Sequence, residues 1–141
     1  ERVRALGAHR VYDRGGGDWA DRIWADTGKR GVDLVLDSVG AALWAANVRS
    51  LAVGGRLVTY GATSGAVGDT LLPAVFWKQL TILGSTMGSK ADLLTVLGHV
   101  AAGRLRPVVH AVMPLGQAAD AHRMLEAREV IGKVVLEPSG P

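Results

Sequence analysis

Two near-continuous apolar runs, Gly31–Val39 and Arg56–Tyr60, constrain the fold of this 141-residue chain more than any other feature. Strands that are buried on both faces of a sheet have this composition. A segment whose apolar residues have helical spacing separates the two runs, so the order is strand, helix, strand. Such a unit needs a crossover connection, which is right-handed in nearly all parallel sheets. The sequence therefore predicts an α/β fold built on a parallel sheet.

Small, hydrogen-bonding residues stand where each predicted strand ends. A third instance follows a shorter apolar run, Leu80–Leu83, and precedes a helix whose N-terminus favours a negative group. The residues at the three strand ends are Ser38, Val39 and Gly40, then Gly61, Ala62 and Thr63, and then Ser85, Thr86 and Met87. Open α/β sheets bind nucleotides outside the carboxyl ends of their strands. We therefore predict a nucleotide site at this edge of the sheet.

Gly40, Ser89 and Lys133 each have a structural interpretation beside a functional one, and the sequence leaves both open. Gly40 either lets a ligand approach the main chain or forms a strand-to-helix turn that needs a small residue. Ser89, with Asp92 three residues later, has the spacing of a capping box, which is compatible with a ligand nearby. Lys133, which follows Gly132 and precedes a buried strand, either meets a phosphate or extends its ammonium to water.

Composition and charge exclude other classes of function. The 16 basic and 13 acidic residues give a formal charge of +3, and the arginines are scattered, whereas a nucleic-acid surface clusters them. The absence of cysteine excludes disulfides and thiolate metal sites in this segment, and the four histidines lack the spacing of metal ligands. No apolar stretch reaches membrane-spanning length and no signal peptide is recognisable. We expect a cytoplasmic protein without nucleic-acid or membrane partners.

Two aspartates, Asp33 and Asp37, bracket the first predicted strand. A buried carboxylate pair can perform general acid–base catalysis. Aspartate at a strand end more often binds loop amides, and no catalytic partner is evident, so we favour the structural role. Three consecutive glycines, Gly15–Gly17, lack the spacing of a phosphate-binding turn and predict a flexible loop.

Apolar spacing and turn signals predict the remaining elements. Strands are predicted at His9–Tyr12, Val32–Asp37, Arg56–Tyr60, Leu80–Leu83, Val108–Val112 and Lys133–Leu136, and helices at Trp19–Thr27 with Asp18 as N-cap, Ala41–Ala52, Leu71–Gln79, from Ser89 to Gly103, and Leu115–Ala127. The chain opens in a segment typical of a helix interior, so we expect this end to be cut. We expect Pro138–Pro141 to be a natural end.

Five motifs in a fixed order carry a family resemblance. They are Ala5-Leu6-Gly7-Ala8-His9, the whole of Gly31–Gly40, Gly54-Gly55-Arg56-Leu57-Val58, Gly84–Ser89 and Gly132-Lys133-Val134-Val135-Leu136. Together they resemble the medium-chain dehydrogenase/reductase superfamily, especially zinc-type alcohol dehydrogenases and the related quinone or enoyl reductases. The likeness implies that residues 1–107 form a partial Rossmann domain, a doubly wound parallel sheet with helices on both faces, without its first strand and glycine-rich turn. Residues 108–141 would return to a GroES-like catalytic domain outside this segment.

The resemblance also implies a cofactor, NAD or NADP, and the residues that bind it. Ser38, Val39 and Gly40 would lie beside a ribose, Gly61, Ala62 and Thr63 near the nicotinamide, Ser85, Thr86 and Met87 at its carboxamide, and Lys133 at the rim. The family's zinc ligands, proton relay and pyrophosphate turn belong to the absent part. Zinc would therefore bind only there, and the isolated chain would lack dehydrogenase activity.

The intact parent, by the same resemblance, would move a hydride between a nicotinamide and a carbonyl, an alcohol or an activated alkene. The strand Leu80–Leu83 lies where members of the superfamily pair their sheets across a two-fold axis, so a homodimer is expected. The alternative is a non-catalytic α/β interaction module, derived from such an enzyme, that binds protein through its sheet edge.

Overall fold

The computed structural model describes residues 1–138 and contains two compact units, Glu1–Thr86 and a second that begins at Met87. The helices are α1 (Arg2–Ala5), α2 (Trp19–Asp26), α3 (Ala41–Ser50), α4 (Leu72–Trp77), α5 (Lys90–Ala101) and α6 (Ala118–Glu126). The strands are β1 (Val32–Asp37), β2 (Leu51–Thr59), β3 (Thr81–Gly84), β4 (Val109–Pro114) and β5 (Lys133–Glu137). Short 3-10 turns lie at Arg14–Gly16 and Leu115–Gln117. Of the predicted chain end at Pro138–Pro141, residues 139–141 lie outside the described residues.

The first unit is built on a three-stranded sheet in the order β1-β2-β3, and both strand pairs are parallel. Leu36, Val58 and Leu83 are partners across the sheet, and so are Asp37, Thr59 and Gly84. Helix α3 makes the crossover from β1 to β2 and packs on both strands. The predicted α/β fold with a parallel sheet is confirmed.

The core of the first unit lies on one face of this sheet. Val48 of α3 and Leu51 and Leu57 of β2 are buried together, and Trp44 and Ala74 pack against them. Burying a valine or leucine side chain stabilises a fold by about 1.5–3 kcal/mol. This packing fixes α3 on the sheet with its N-terminus at the carboxyl ends of the strands.

The opposite face of the same sheet is exposed and mostly apolar, with Arg56 beside Leu34. Side chains alternate between the two faces of a strand. Leu34, Leu36 and Leu83 therefore point away from Leu57, and they are 52%, 63% and 44% exposed. Helices α3 and α4 of the first unit pack on the Leu57 face of this sheet.

The strand predicted at His9–Tyr12 is wrong, because this stretch is irregular. The backbone of this stretch does not pair with a strand, and its side chains contact α2. The guanidinium of Arg10 lies 2.6 Å from Asp26 Oδ2, and the Tyr12 hydroxyl donates a 2.8 Å hydrogen bond to the same oxygen. These contacts lower the pKa of Asp26, with the Arg10 bond as the largest cause. Asp26, at the end of α2, therefore holds residues 9–12 in place, although their composition resembles that of a strand.

Strand β2 begins at Leu51 and runs through the glycine pair that was predicted to precede it. Gly54 has a φ of +74°, which glycine adopts without strain, and its amide donates to the Lys78 carbonyl at 2.7 Å. The register of β1 against β2 shifts between Val32 and Leu34, as expected for a bulge. Helix α3 accordingly ends at Ser50 rather than Ala52.

The second unit contains α5, α6 and a parallel pair of strands, β4 and β5. Helix α5 begins with the predicted capping box, in which Ser89 and Asp92 bond each other's backbone amides. The bonds from Ser89 lower the pKa of the Asp92 carboxyl. Helix α2, in contrast, receives no side-chain cap from Asp18.

The division after Thr86 concerns compactness only. The assignment of residues 1–107 and 108–141 to two different domains of a larger enzyme stays a prediction. Among residues 1–138, no helix has both the length and the apolar character needed to cross a bilayer.

Gly132 generates the first prediction, because its backbone has a φ of +97° and an added Cβ would lie 2.2 Å from the Val108 carbonyl oxygen. That carbonyl accepts the Lys133 amide at 2.9 Å and starts the β4–β5 pair. Gly132→Ala should lower the free energy of unfolding by about 1–3 kcal/mol or more, measured by urea titration.

Gly98→Ala is the matched control, since Gly98 lies within α5 and an added Cβ meets nothing within 4 Å. It should be neutral or stabilising by up to about 1 kcal/mol. Equal effects of the two substitutions would contradict this account of the Gly132 turn.

Candidate functional site

Asp37 organises the carboxyl end of β1. Its side chain is only 3% exposed, and its two carboxylate oxygens accept the amides of Val39 at 2.9 Å and Gly40 at 3.0 Å. Its backbone carbonyl accepts the Tyr60 amide at 2.9 Å. The structural role favoured for this aspartate is therefore confirmed. Asp33, the other member of the pair, forms an exposed ion pair with Arg30.

The loop after β2 packs directly on the turn after β1, and Ser64 makes most of the polar contacts. The Ser64 hydroxyl donates to the Val39 carbonyl at 2.6 Å and accepts the Ala42 amide at 2.9 Å. The Ser64 amide donates to the same Val39 carbonyl at 2.8 Å. The Thr63 hydroxyl adds a longer bond, 3.4 Å, to the Ser38 carbonyl. The first two predicted strand ends are thus brought together.

The loop also caps the N-terminus of α3. The N-cap position of this helix is Gly40, which has no side chain to offer. Ser64 Oγ and the Gly65 carbonyl accept the first amides of the helix, from Ala42 and Ala41, at 2.9 and 3.2 Å. These amides are the groups that bind anions at other helix N-termini. In this chain they bind its own loop.

Contact between the two loops explains the glycines at the strand ends. Gly40 has a φ of +84°, and an added Cβ would lie 2.8 Å from the Gly65 carbonyl oxygen and 2.9 Å from Ala62 Cα. A Cβ on Gly61 would lie 2.7 Å from the Ser38 carbonyl oxygen. Of the two interpretations of Gly40, the structure supports the turn that needs a small residue, because the chain itself fills the space.

A cavity of about 260 Å³ lies at the carboxyl end of β2. Its lining includes Gly40, Gly61 and Ala62 of the predicted site, together with Trp44 and Thr59. No charged residue lines it. The indole nitrogen of Trp44 is already engaged, donating to Thr70 Oγ1 at 2.6 Å. The cavity therefore suits a small neutral group.

The third strand end extends the same edge. The Ser85 amide donates to the Thr59 carbonyl at 2.9 Å, so the chain continues the sheet beyond β3. Ser85 and Thr86 are exposed, and an added Cβ on Gly84 would meet nothing within 4 Å. Met87, which is 97% exposed, and the exposed Lys133 belong to the second unit.

The structure thus brings seven of the ten predicted site residues to one sheet edge, with Thr86 next to them in the chain. The seven are Ser38, Val39, Gly40, Gly61, Ala62, Thr63 and Ser85. Sequence reasoning missed Ser64, whose capping function depends on a residue 22 positions away. Only its position after a predicted strand end was available as a signal.

Comparison with known proteins identifies the family. Residues 6–136 match the family model for zinc-binding dehydrogenases. The chain belongs to this family. The predicted resemblance to medium-chain dehydrogenases and reductases is confirmed, and with it the Rossmann-like α/β fold.

Two proteins that are similar to this chain bear the names of different enzymes. The 2-haloacrylate reductase of a Burkholderia species is 30% identical over 152 residues, which cover 98% of this chain and 44% of that protein. The phthioceranic/hydroxyphthioceranic acid synthase of Mycobacterium tuberculosis is 36% identical over 146 residues, covering 96% of this chain and 7% of that protein.

A crystal structure of an NAD-dependent alcohol dehydrogenase superposes with a TM-score of 0.85 and 42% identity, covering 99% of this chain and 40% of that one. The zinc-binding dehydrogenase chain therefore spans less than half of each of these relatives. Within residues 1–138, no three His, Asp or Glu side chains come together as a metal site.

Ser64 generates the second prediction. Ser64→Ala removes the side-chain cap of α3 and one of the two bonds to the Val39 carbonyl, so the free energy of unfolding should fall by about 1 kcal/mol. Thr63→Ala on the same loop removes only the 3.4 Å contact and should cost less than half as much. Urea unfolding of both variants measures this, and equal losses would show that Ser64 does not cap the helix.

Proposed function

We propose that this chain forms the nicotinamide-side wall of an NAD(P) site in an oxidoreductase that moves a hydride between the nicotinamide and a carbonyl, an alcohol or an activated alkene. The observation that carries the proposal is the alignment of three strand ends. Asp37, Thr59 and Gly84 are register partners, and each leads into small residues at one edge. Membership of the zinc-binding dehydrogenase family and an NAD-dependent relative support it.

The chemistry of this edge suits the neutral half of a nicotinamide dinucleotide. Exposed hydroxyls of Thr63 and Ser85 can bind a ribose or a carboxamide, and the open side of Gly84 admits a flat ring. When bound, the nicotinamide carries the hydride. The residues of this chain would orient it: Ser38, Val39 and Gly40 beside a ribose, Gly61, Ala62 and Thr63 near the ring, Ser85, Thr86 and Met87 at the carboxamide, and Lys133 at the rim.

We assign the diphosphate of the cofactor to other parts of the enzyme. The N-terminal amides of α3 bind Ser64 and Gly65, so this helix does not offer them to an anion. We assign only the nicotinamide half to this chain and place any zinc, together with the substrate pocket, in other parts of the enzyme. The cytoplasmic location stays a prediction.

The exposed, mostly apolar face of the sheet favours a second candidate, an α/β interaction module. Leu34 and Leu36 are more than half exposed, and contiguous apolar surface marks interaction sites.

The predicted homodimer would use β3, which lies at the edge of the sheet and keeps Ile82 39% exposed. Sedimentation analysis that finds a monomer at micromolar concentrations would contradict the dimer.

Thermal unfolding of the 141-residue chain tests the cofactor proposal. Millimolar NAD+ or NADPH should raise the Tm, because a ligand that binds only the folded state stabilises it. Gly84→Val adds a side chain in open space, so it should preserve the fold and abolish the shift. Gly98→Ala, on α5, should keep the full shift. A dinucleotide that leaves the Tm unchanged, or acts equally on the Gly84→Val chain, overturns the proposal.

We further propose that the isolated chain has negligible dehydrogenase turnover. It spans 44% of the 2-haloacrylate reductase and 40% of the alcohol dehydrogenase that it resembles. Incubation with NADPH and an aldehyde, a quinone or an enoyl thioester should show no oxidation of the nicotinamide above the rate without protein. Measurable turnover would contradict this proposal and would leave the binding proposal intact.

A further inference from the structure

A second cavity, of about 270 Å³, lies between α3 and α4 and contains none of the residues assigned to the cofactor. Four of its lining residues are alkyl: Ala45 and Val48 on α3, and Leu71 and Ala74 at the start of α4. Val48 belongs to the buried core, so the floor of the cavity is apolar. The volume suits a molecule with a short hydrocarbon chain.

A fixed cation stands at this cavity. Lys78 lines it, and its ammonium donates to the Arg49 carbonyl at 2.8 Å and the Leu51 carbonyl at 2.9 Å. It also lies 5.0 Å from the centre of the Trp24 ring. None of the ion pairs among residues 1–138 gives Lys78 a carboxylate partner. Burial lowers the pKa of Lys78, as expected for a cation without a counter-ion.

Two further charges line the same cavity. The Arg49 guanidinium makes only a long, exposed contact, 3.5 Å, with Asp21, and can turn toward a ligand. Asp69, on the segment before α4, is exposed and opposes an anion. Asp21 balances the charge of Arg49 until the guanidinium turns, so Lys78 is the cation of this lining that has no carboxylate partner among residues 1–138.

We propose that the α3–α4 cavity binds a small carboxylate with a short alkyl chain. The carboxylate meets the ammonium of Lys78 and the guanidinium of Arg49, and the alkyl chain lies against Ala45 and Val48. Charge-assisted bonds to a fixed cation orient the acid group, while burial of the chain supplies the apolar contribution. The site is separate from the cofactor edge and does not depend on the proposed oxidoreductase function.

Hexanoate is the probe, and the methyl signals of Val48 and Ala74 in NMR spectra of the full chain are the readout. Hexanoate should shift these signals saturably, whereas hexylamine, with the same chain and the opposite charge, should not. No saturable shift with hexanoate overturns the proposal. Equal binding of hexylamine also overturns it, because the cavity would then recognise the alkyl chain alone.

Variants on exposed positions test the site without relying on Lys78, which also supports the fold. Arg49→Gln should weaken hexanoate binding about ten-fold, the effect of losing one charge-assisted bond. Asp69→Asn should tighten it. Ala45→Leu fills the cavity and should abolish binding, while Ala42→Leu, exposed on the same helix and outside the cavity, should not. Unchanged affinity in Arg49→Gln and Ala45→Leu together would place hexanoate elsewhere and overturn the proposal.

Discussion

The buried carboxylate of Asp37 is the interaction on which the site of this protein depends. It accepts two backbone amides of the turn after β1, those of Val39 and Gly40. A buried amide without a partner costs about 1–3 kcal/mol, so this turn has little freedom to adopt another shape. This turn after β1 also presents the Val39 carbonyl to Ser64 and directs α3 onto the sheet. One carboxylate therefore determines where the first two strand ends lie.

Two glycines at the strand ends, Gly40 and Gly61, follow from that geometry, whereas Gly84 has open space beside it. Gly40 and Gly61 are required because the two loops approach within van der Waals distance of each other. The same holds in the second unit, where Gly132 allows Val108 and Lys133 to begin a strand pair. A binding edge of this kind is preorganised by its own backbone, and the ligand contacts fall to residues such as Ser85 that the packing leaves open.

The sequence predicted what depends on local composition. The apolar run of β1 and the Ser89–Asp92 capping box could be predicted, because each depends on residues that are neighbours in the chain. The parallel pairing of β1 and β2 could be predicted because a helix connects the two strands. The strand at His9–Tyr12 was wrong because the contacts of Arg10 and Tyr12 with Asp26 are long-range. The start of β2 at Leu51 was missed because a bulge accommodates glycines that normally end an element. Ser64 was missed because its partner lies on a different element.

The most direct test of the central claim separates the two halves of the dinucleotide. Nicotinamide mononucleotide and adenosine monophosphate would each be titrated into the isotope-labelled chain while its backbone amide signals are recorded by NMR. If this chain forms the nicotinamide-side wall, the mononucleotide shifts the amides of Gly61, Thr63 and Ser85 and adenosine monophosphate leaves them unchanged. Shifts produced equally by both compounds, or by neither, would contradict the account.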